Sequence, residues 1–298
     1  MSSKATVLIT GTSTGFGRLF TETLARKGYT VFATMRDPQG KNAKNAADIL
    51  ALAERESLPI YTQELDVTSD ASVENAVRAV IAQAGRIDAV INNAGYVVSG
   101  LTEAITTEQA QQIMDTNYFG CVRVDRAVLP HMHRQRSGLL MHISSGAGRI
   151  VFPTFTQYCA TKYAMEALAE GYHYELASLG IESVIVEPGA YETPIFGKIQ
   201  TGADASRADA YGAASQIPEK LNQGLAQSAG NAQEVADTVL RILETPAGQR
   251  KLRYRVSPKD VGVDAINEVS AQVQSRLLDA FGLTPLTTFT RQKAAASD

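Results

Sequence analysis

Short runs of apolar residues alternate along this chain with longer segments of helical periodicity, and that alternation fixes the class of fold. The runs are Val7–Ile9, Thr30–Met35, Ile60–Leu65, Ala89–Ile91, Leu139–Ile143 and Ile181–Val186, with Arg253–Val256 as a candidate last member. They are apolar nearly throughout, whereas a strand with one wet face would alternate. Strands of that kind need cover on both sides. The segments between them, such as Arg18–Lys27, Ala71–Ala84 and Glu108–Arg134, carry the helical spacing that supplies it. The expected architecture is an α/β fold, a doubly wound parallel sheet of about seven strands with helices on both faces and right-handed crossovers.

A chain of 298 residues, 44% of them hydrophobic, can bury one such sheet as a single domain over residues 1–298. No boundary stands out before Pro188. Residues 190–230 then turn rich in Ala, Gly, Ser and Gln with weak periodicity, which suits a substrate-covering insertion. Residues 260–298 read as a C-terminal helix and a frayed tail. Ile266, Val269, Val273, Leu277 and Phe281 share one helical stripe, and Gly282 stands where a helix stops. The tail is Arg291 to Asp298.

Composition excludes several classes of function. A net charge of −3 argues against a nucleic-acid or anionic-membrane surface. No run approaches the roughly 18 apolar residues of a membrane span, and the amino terminus lacks a signal-peptide pattern. Cys121 and Cys159 form neither a metal spacing nor a disulfide framework, which fits a cytoplasmic setting. His131 and His133 diverge on their helix, and His142 suits a satisfied core group, so no metal site is expected.

The turn after the first run reads Thr10-Gly11-Thr12-Ser13-Thr14-Gly15-Phe16-Gly17 and opens the first helix. Glycines let backbone approach a pyrophosphate, and the helix N-terminus offers free N–H groups, so Gly11, Ser13, Thr14, Gly15, Phe16 and Gly17 form a candidate dinucleotide cradle of Rossmann type. The spacing differs from the usual G-x-G-x-x-G. The second run ends in Met35-Arg36, where an NAD reader places an acid to hold the ribose 2′-OH. A guanidinium there suits a 2′-phosphate, with Asp37 the competing signal. NADP(H) is the preferred cofactor and NAD(H) the alternative.

Tyr158 and Lys162 lie four apart on a helical segment, with Ser145 upstream. A free phenol titrates near pH ~10, and an ammonium on the same face favours its phenolate. A serine hydroxyl can hold the reacting oxygen in line with the phenol. The plain alternative is a packed ring beside a solvated amine.

Taken together, these residues resemble the short-chain dehydrogenase/reductase family in its compact single-domain branch. The matches run from Thr10 to Thr193: the glycine turn, Asp66-Val67, Asn92-Asn93-Ala94-Gly95, then Asn117, Ser145, Tyr158 and Lys162 in order, and Pro188-Gly189 with Thr193. The resemblance implies that Tyr158 is the acid/base and that Ser145 orients the carbonyl. It implies that Lys162 also binds the nicotinamide ribose. Asn117 would hold a helix irregularity and a water that relays protons to Lys162. Asp66 and Val67 would border the adenine, although Asp66 also suits a helix-capping turn. Asn93, Ala94 and Gly95 would bring backbone to the cofactor, and Pro188, Gly189 and Thr193 would meet the nicotinamide.

Val97, Phe152, Phe155, Tyr191 and Phe196 flank these motifs and, with Ser145, are the candidate substrate contacts. An apolar, aromatic set suggests a small hydrophobic ketone, aldehyde or alcohol. The Thr30–Asp37 stretch and the chain length are similar to the 17β-hydroxysteroid and retinol dehydrogenase branch. The expected activity is NADP(H)-dependent carbonyl reduction or alcohol oxidation. A non-catalytic dinucleotide sensor and an epimerase or dehydratase of the extended relatives are the alternatives. In the family, helices like Glu108–Arg134 and Thr156–Leu179 pair across a dimer axis, which implies a homodimer or homotetramer. Ala164, Leu168 and Tyr172 would form the packing face.

Overall fold

Seven strands hydrogen-bond in parallel in the spatial order β3-β2-β1-β4-β6-β7-β9 in a computed structural model that describes residues 4–227, 229–257 and 259–290. They are β1 (Thr6–Ile9), β2 (Thr30–Met35), β3 (Ile60–Glu64), β4 (Ala89–Asn92), β6 (Gly138–Ile143), β7 (Ile181–Pro188) and β9 (Arg253–Val256). A second, two-stranded sheet pairs β5 (Val98–Ser99) with β8 (Gln200–Thr201). The helices are α1 (Gly15–Arg26), α2 (Ala43–Glu56), α3 (Asp70–Ala84), α4 (Thr107–Met114), α5 (Gly120–Gln135), α6 (Thr156–Leu176), α7 (Ala205–Asp209), α8 (Ile217–Gln227), α9 (Gln233–Glu244) and α10 (Val263–Ala280).

The two-sided burial expected of apolar strands is visible residue by residue. In β1, Val7 and Ile9 join one cluster with Phe20 and Leu24 of α1, Ile49 of α2 and Val239 of α9. Leu8 points the other way, to Val77 of α3, Val124 and Val128 of α5 and Leu176 of α6. Each fully buried Leu, Ile or Phe contributes about 1.5–3 kcal/mol relative to exposure, so both layers stabilise the sheet. Strand order reverses at β1, which has β2 on one side and β4 on the other. A crevice opens at such a switch point beyond the carboxyl ends of the strands.

Three expectations need correction or refinement. The Glu108–Arg134 pattern is not one helix: a π-helical turn over Asp115–Phe119 separates α4 from α5. Residues 190–230, expected as a covering insertion, carry β8, α7 and α8. Their ends are tied together where Glu192 N donates to Gly230 O and Gly230 N to Ala190 O. The α10 stripe is helical but faces outward, with Val269 60%, Val273 56%, Leu277 45% and Phe281 73% exposed; only Val263 and Leu278 of α10 are buried. Gly282 does follow the helix end with φ +68°. The Arg291–Asp298 tail lies outside the described residues. Among the described residues no helix is long and apolar enough to cross a membrane.

Candidate active site

The turn from Thr10 to Gly17 is held by the strand beside it. Thr10 Oγ1 accepts from the amides of Asn93 and Ala94, both at 3.0 Å, while Asn93 Nδ2 donates to the carbonyls of Thr10 (2.9 Å) and Gly11 (3.1 Å). Gly11 has φ +70°, and a Cβ there would lie 2.8 Å from Ala94 Cα. A Cβ on Gly17 would lie 2.3 Å from Gly11 O. Only glycine lets the turn, α1 and the β4 end close up this tightly. The first turn of α1 has no acidic residue, and its N-cap Thr14 makes no side-chain capping bond. Those free amides and the positive dipole end face a cleft of about 1120 Å³ and fit a pyrophosphate. Gly11, Ser13, Thr14, Gly15 and Phe16 line that cleft, whereas Gly17 lies beneath it as a packing residue.

At one end the cleft is cationic. Arg36 and Lys41 both line it, and neither side chain has a carboxylate partner among the described residues. Asp37 turns away from it: at φ +45° its Oδ2 accepts from Lys41 N at 2.7 Å, which closes the turn presenting both cations. Arg36 also acts across the cleft, opposing the upward push of burial on the Tyr96 phenol. Asp66 and Val67 line the same end. Asp66 Oδ1 is taken by Thr68 N and Oγ1, so the residue serves a local turn as well, while Ser69 is the cap of α3.

At the other end stand Ser145, Tyr158 and Lys162. Ser145 lies just past β6, where its Oγ accepts from Ala147 N at 3.1 Å. Tyr158 and Lys162 lie one turn apart on α6, with the ammonium 5.7 Å from the phenol ring centroid. Lys162 Nζ donates to Ile143 O at 2.8 Å. Burial pulls the lysine down to about 8, with Cys121 and Glu166 opposing. Burial likewise pushes the phenol up to about 12, against a hydrogen bond with Ser145. The expected lowering of the phenol by Lys162 is therefore not present within the protein alone. The geometry holds the phenol and the amine one helical turn apart on the wall of one cleft.

Asn117 is brought close but not into the cleft. Its Oδ1 accepts from Tyr96 N, and its Nδ2 donates to Tyr96 O and to Thr161 Oγ1, all at 3.0–3.1 Å. Thr161 Oγ1 in turn donates to Tyr158 O. Both amide donors are thus committed, which departs from the expected water-holding side chain. Asn117 sits in the π-helical turn and clamps the loop after β4, which carries Asn93–Gly95 and Tyr96, onto the tyrosine helix.

Ser145 and Tyr158 meet an apolar cluster of Val97, Ala147, Phe152, Phe155, Ile195, Ile199 and Leu225. Val97, Phe152, Phe155, Ile195 and Phe196 line the cleft. Tyr191 reaches the cleft wall but belongs to the core beside Phe16, and its hydroxyl donates to Glu234. Pro188, Gly189 and Thr193 line the cleft between the two ends. Sequence reasoning did not find Lys41, Ile199 or Leu225, the last two because they come from the covering segment. Lys198 of that segment donates to Thr14 Oγ1 at 3.2 Å, linking the cover to the glycine turn.

The remaining candidates are structural. His142 Nε2 pairs with Asp125 Oδ2 at 2.9 Å inside the core, and Asp125 also accepts from Asn92. Cys159 is buried, and burial pushes its thiol up, which suits packing rather than reactivity. Among the described residues no group of three or more His, Cys, Asp or Glu is placed to hold a metal ion.

Residues 5–204 match the family model described as short chain dehydrogenase. An uncharacterized oxidoreductase of Bacillus subtilis, YusZ, is 33% identical over 256 residues, covering 85% of this chain and 89% of its own. Human retinol dehydrogenase 8 is 33% identical over 293 residues, covering 92% of this chain and 90% of its own. Among solved structures, a short-chain dehydrogenase from Streptomyces avermitilis superposes with a TM-score of 0.75 at 30% identity, covering 97% of this chain and 100% of that one.

Proposed function

The chain belongs to the short chain dehydrogenase family of oxidoreductases, and from that premise we propose that it is an NADP(H)-dependent enzyme interconverting a hydrophobic ketone or aldehyde with its alcohol. One observation carries the reading: Gly11, Gly15 and Arg36 line the same cleft as Ser145, Tyr158 and Lys162. A nicotinamide cofactor, when bound, supplies or accepts the hydride at the substrate carbon. The protein's part is proton transfer and positioning. In reduction the Tyr158 phenol gives its proton to the carbonyl oxygen, and in oxidation the phenolate takes the alcohol proton. Ser145 Oγ, oriented by the Ala147 amide, donates to the same oxygen and fixes its distance from the phenol. Lys162, charged below about pH 8, stabilises the negative oxygen that Tyr158 acquires when it gives up its proton.

The preference for NADP(H) is supported by Arg36 and Lys41 at the cleft wall and by Asp37, which turns away from the cleft onto Lys41 N. The apolar substrate class is supported by Phe152, Phe155, Ile195, Ile199 and Leu225 around the phenol. Assembly as a homodimer or homotetramer through α5 and α6 belongs to the same reading. Its support is that Tyr163 is exposed on α6, while Ala164, Leu168 and Tyr172 are only partly covered within the chain.

The test is steady-state turnover with NADPH and NADH over a homologous series of ketones and aldehydes. Expected is a higher kcat/KM with NADPH, rising roughly fourfold per added methylene until the apolar end is filled, from about 0.8 kcal/mol per CH₂. Preference for NADH, or for polar polyols over apolar carbonyls, would contradict the reading.

A further inference from the structure

The segment that follows Pro188 joins the two halves of the cleft. Near its start Thr193 packs on the glycine turn, where a Cβ on Gly15 would lie 3.8 Å from Thr193 Cβ. Further on, Gln200 N donates to Val97 O at 3.0 Å, and β8 pairs with β5 from Val98 onward. Between these anchors a short 3-10 turn, Phe196–Lys198, sends side chains to both ends. Ile195 and Ile199, on either side of it, join the apolar cluster that includes Tyr158. Lys198 serves the other half: it lines the cleft, and its Nζ donates to Thr14 Oγ1 at 3.2 Å.

For the protein alone that is a poor place for an ammonium. Thr14 is the N-cap of α1, and the positive end of a helix repels a cation. The first turn of α1 has no acid to offset it, and Arg18 just beyond is engaged by Glu22. Among the described residues Lys198 has no carboxylate partner, only the neutral hydroxyl. The side chain is exposed, and one neutral acceptor offsets little of the rotamer freedom lost in bending it back to the turn. Ammonium, helix dipole and the free amides of the turn therefore converge with one sign of charge. An anion between them is attracted by all three. Arg36 and Lys41 stand at the adenine end of the cleft, so Lys198 acts on a different part of the ligand from theirs.

Resting on the dinucleotide reading above, we propose that Lys198 is a pyrophosphate ligand supplied by the covering segment, which exchanges the Thr14 hydroxyl for a phosphate oxygen when the cofactor binds. The glycine turn then holds the pyrophosphate from one side and the cover holds it from the other. Because Ile195 and Ile199 flank the same short turn, the ion pair also fixes the apolar wall that the carbonyl compound meets. Cofactor binding in this way prepares the substrate half of the cleft.

Isothermal titration of the full chain with NADPH and with adenosine 2′-monophosphate tests this, since the second ligand carries the 2′-phosphate but no pyrophosphate. Lys198→Met is expected to weaken NADPH roughly tenfold or more at low ionic strength, and to leave adenosine 2′-monophosphate within about twofold. The deficit should shrink as salt rises, because screening acts on an exposed pair. Lys198→Arg keeps the charge and should retain most of the affinity. Hydrogen exchange reads the coupling to the cover. NADPH should slow the amides of residues 193–201 in the parent but not in Lys198→Met, while those of residues 11–17 slow in both. Parent-like NADPH binding in Lys198→Met, or an equal loss for both ligands, would overturn the proposal while leaving the dinucleotide reading standing. So would residues 193–201 that exchange alike with and without NADPH in the parent. NADPH that neither binds the parent nor protects residues 11–17 would overturn both.

Discussion

Lys162→Met is expected to make the cofactor-free protein more stable while removing its chemistry. The ammonium is buried and donates to Ile143 O, and burial pulls its pKa down to about 8. A lysine in the unfolded chain titrates near ~10.4, so holding the charged form inside costs roughly 3 kcal/mol. Methionine is similar in length and carries no charge. Leaving Ile143 O without its donor returns about 1 kcal/mol. The net gain at pH 7 is then roughly 2 kcal/mol, or about 4 °C in Tm for a chain of this size. The sign with pH follows from linkage: the folded pKa is depressed, so the penalty is full below about pH 8 and fades as the pH rises toward ~10.4. Urea unfolding of parent and variant at pH 7 and pH 10 should show the variant ahead at pH 7 and the gap closing at pH 10. A variant that unfolds no later than the parent at pH 7, or a gap independent of pH, would refute the reasoning. Such a trade of stability for a destabilised active site is the expected pattern in enzymes.

Two further outcomes follow from the cleft. Arg36→Ala should lower the NADPH-to-NADH ratio of kcat/KM by about tenfold or more, given about 1.5–3 kcal/mol for a hydrogen bond to a charged group, and Lys41→Ala should lower it further; an unchanged ratio in steady-state assays would remove the 2′-phosphate argument. Gly11→Ala puts a Cβ 2.8 Å from backbone at a positive φ, so it should cost about 1–3 kcal/mol in urea unfolding and weaken NADPH binding in titration, and a neutral substitution would contradict the close-packed cradle.

Much of the framework was legible because it depends on local pattern. Strands buried on both faces must be apolar throughout, so Thr30–Met35 and Ile181–Val186 could be read without knowing their neighbours. β5 and β8 could not, since two residues each carry no period and the pairing joins distant parts of the chain. The π-helical turn at Asp115–Phe119 follows from Asn117 reaching the backbone of Tyr96, a contact no helical periodicity encodes. Tyr158, Lys162 and Ser145 were readable as a group because their chemistry is distinctive. Tyr191 lines the cleft as its place in the sequence suggested, but its ring also packs on Phe16, a contact that sequence neighbourhood does not encode. The α10 stripe shows the same limit, since helical spacing does not say which side of the helix the protein covers. Lys198 reads as one more exposed lysine of the covering segment until the fold brings it against Thr14 of the glycine turn.

The most direct measurement is single-turnover hydride transfer from NADPH to an apolar ketone in Tyr158→Phe, with NADPH affinity measured by titration on the same sample. Loss of one hydroxyl leaves the cradle intact, so the dissociation constant should stay within about twofold, while loss of general acid catalysis should slow the chemical step by roughly 10²–10⁴-fold. A variant that binds NADPH normally and still transfers hydride within tenfold of the parent rate would show that the proton comes from elsewhere.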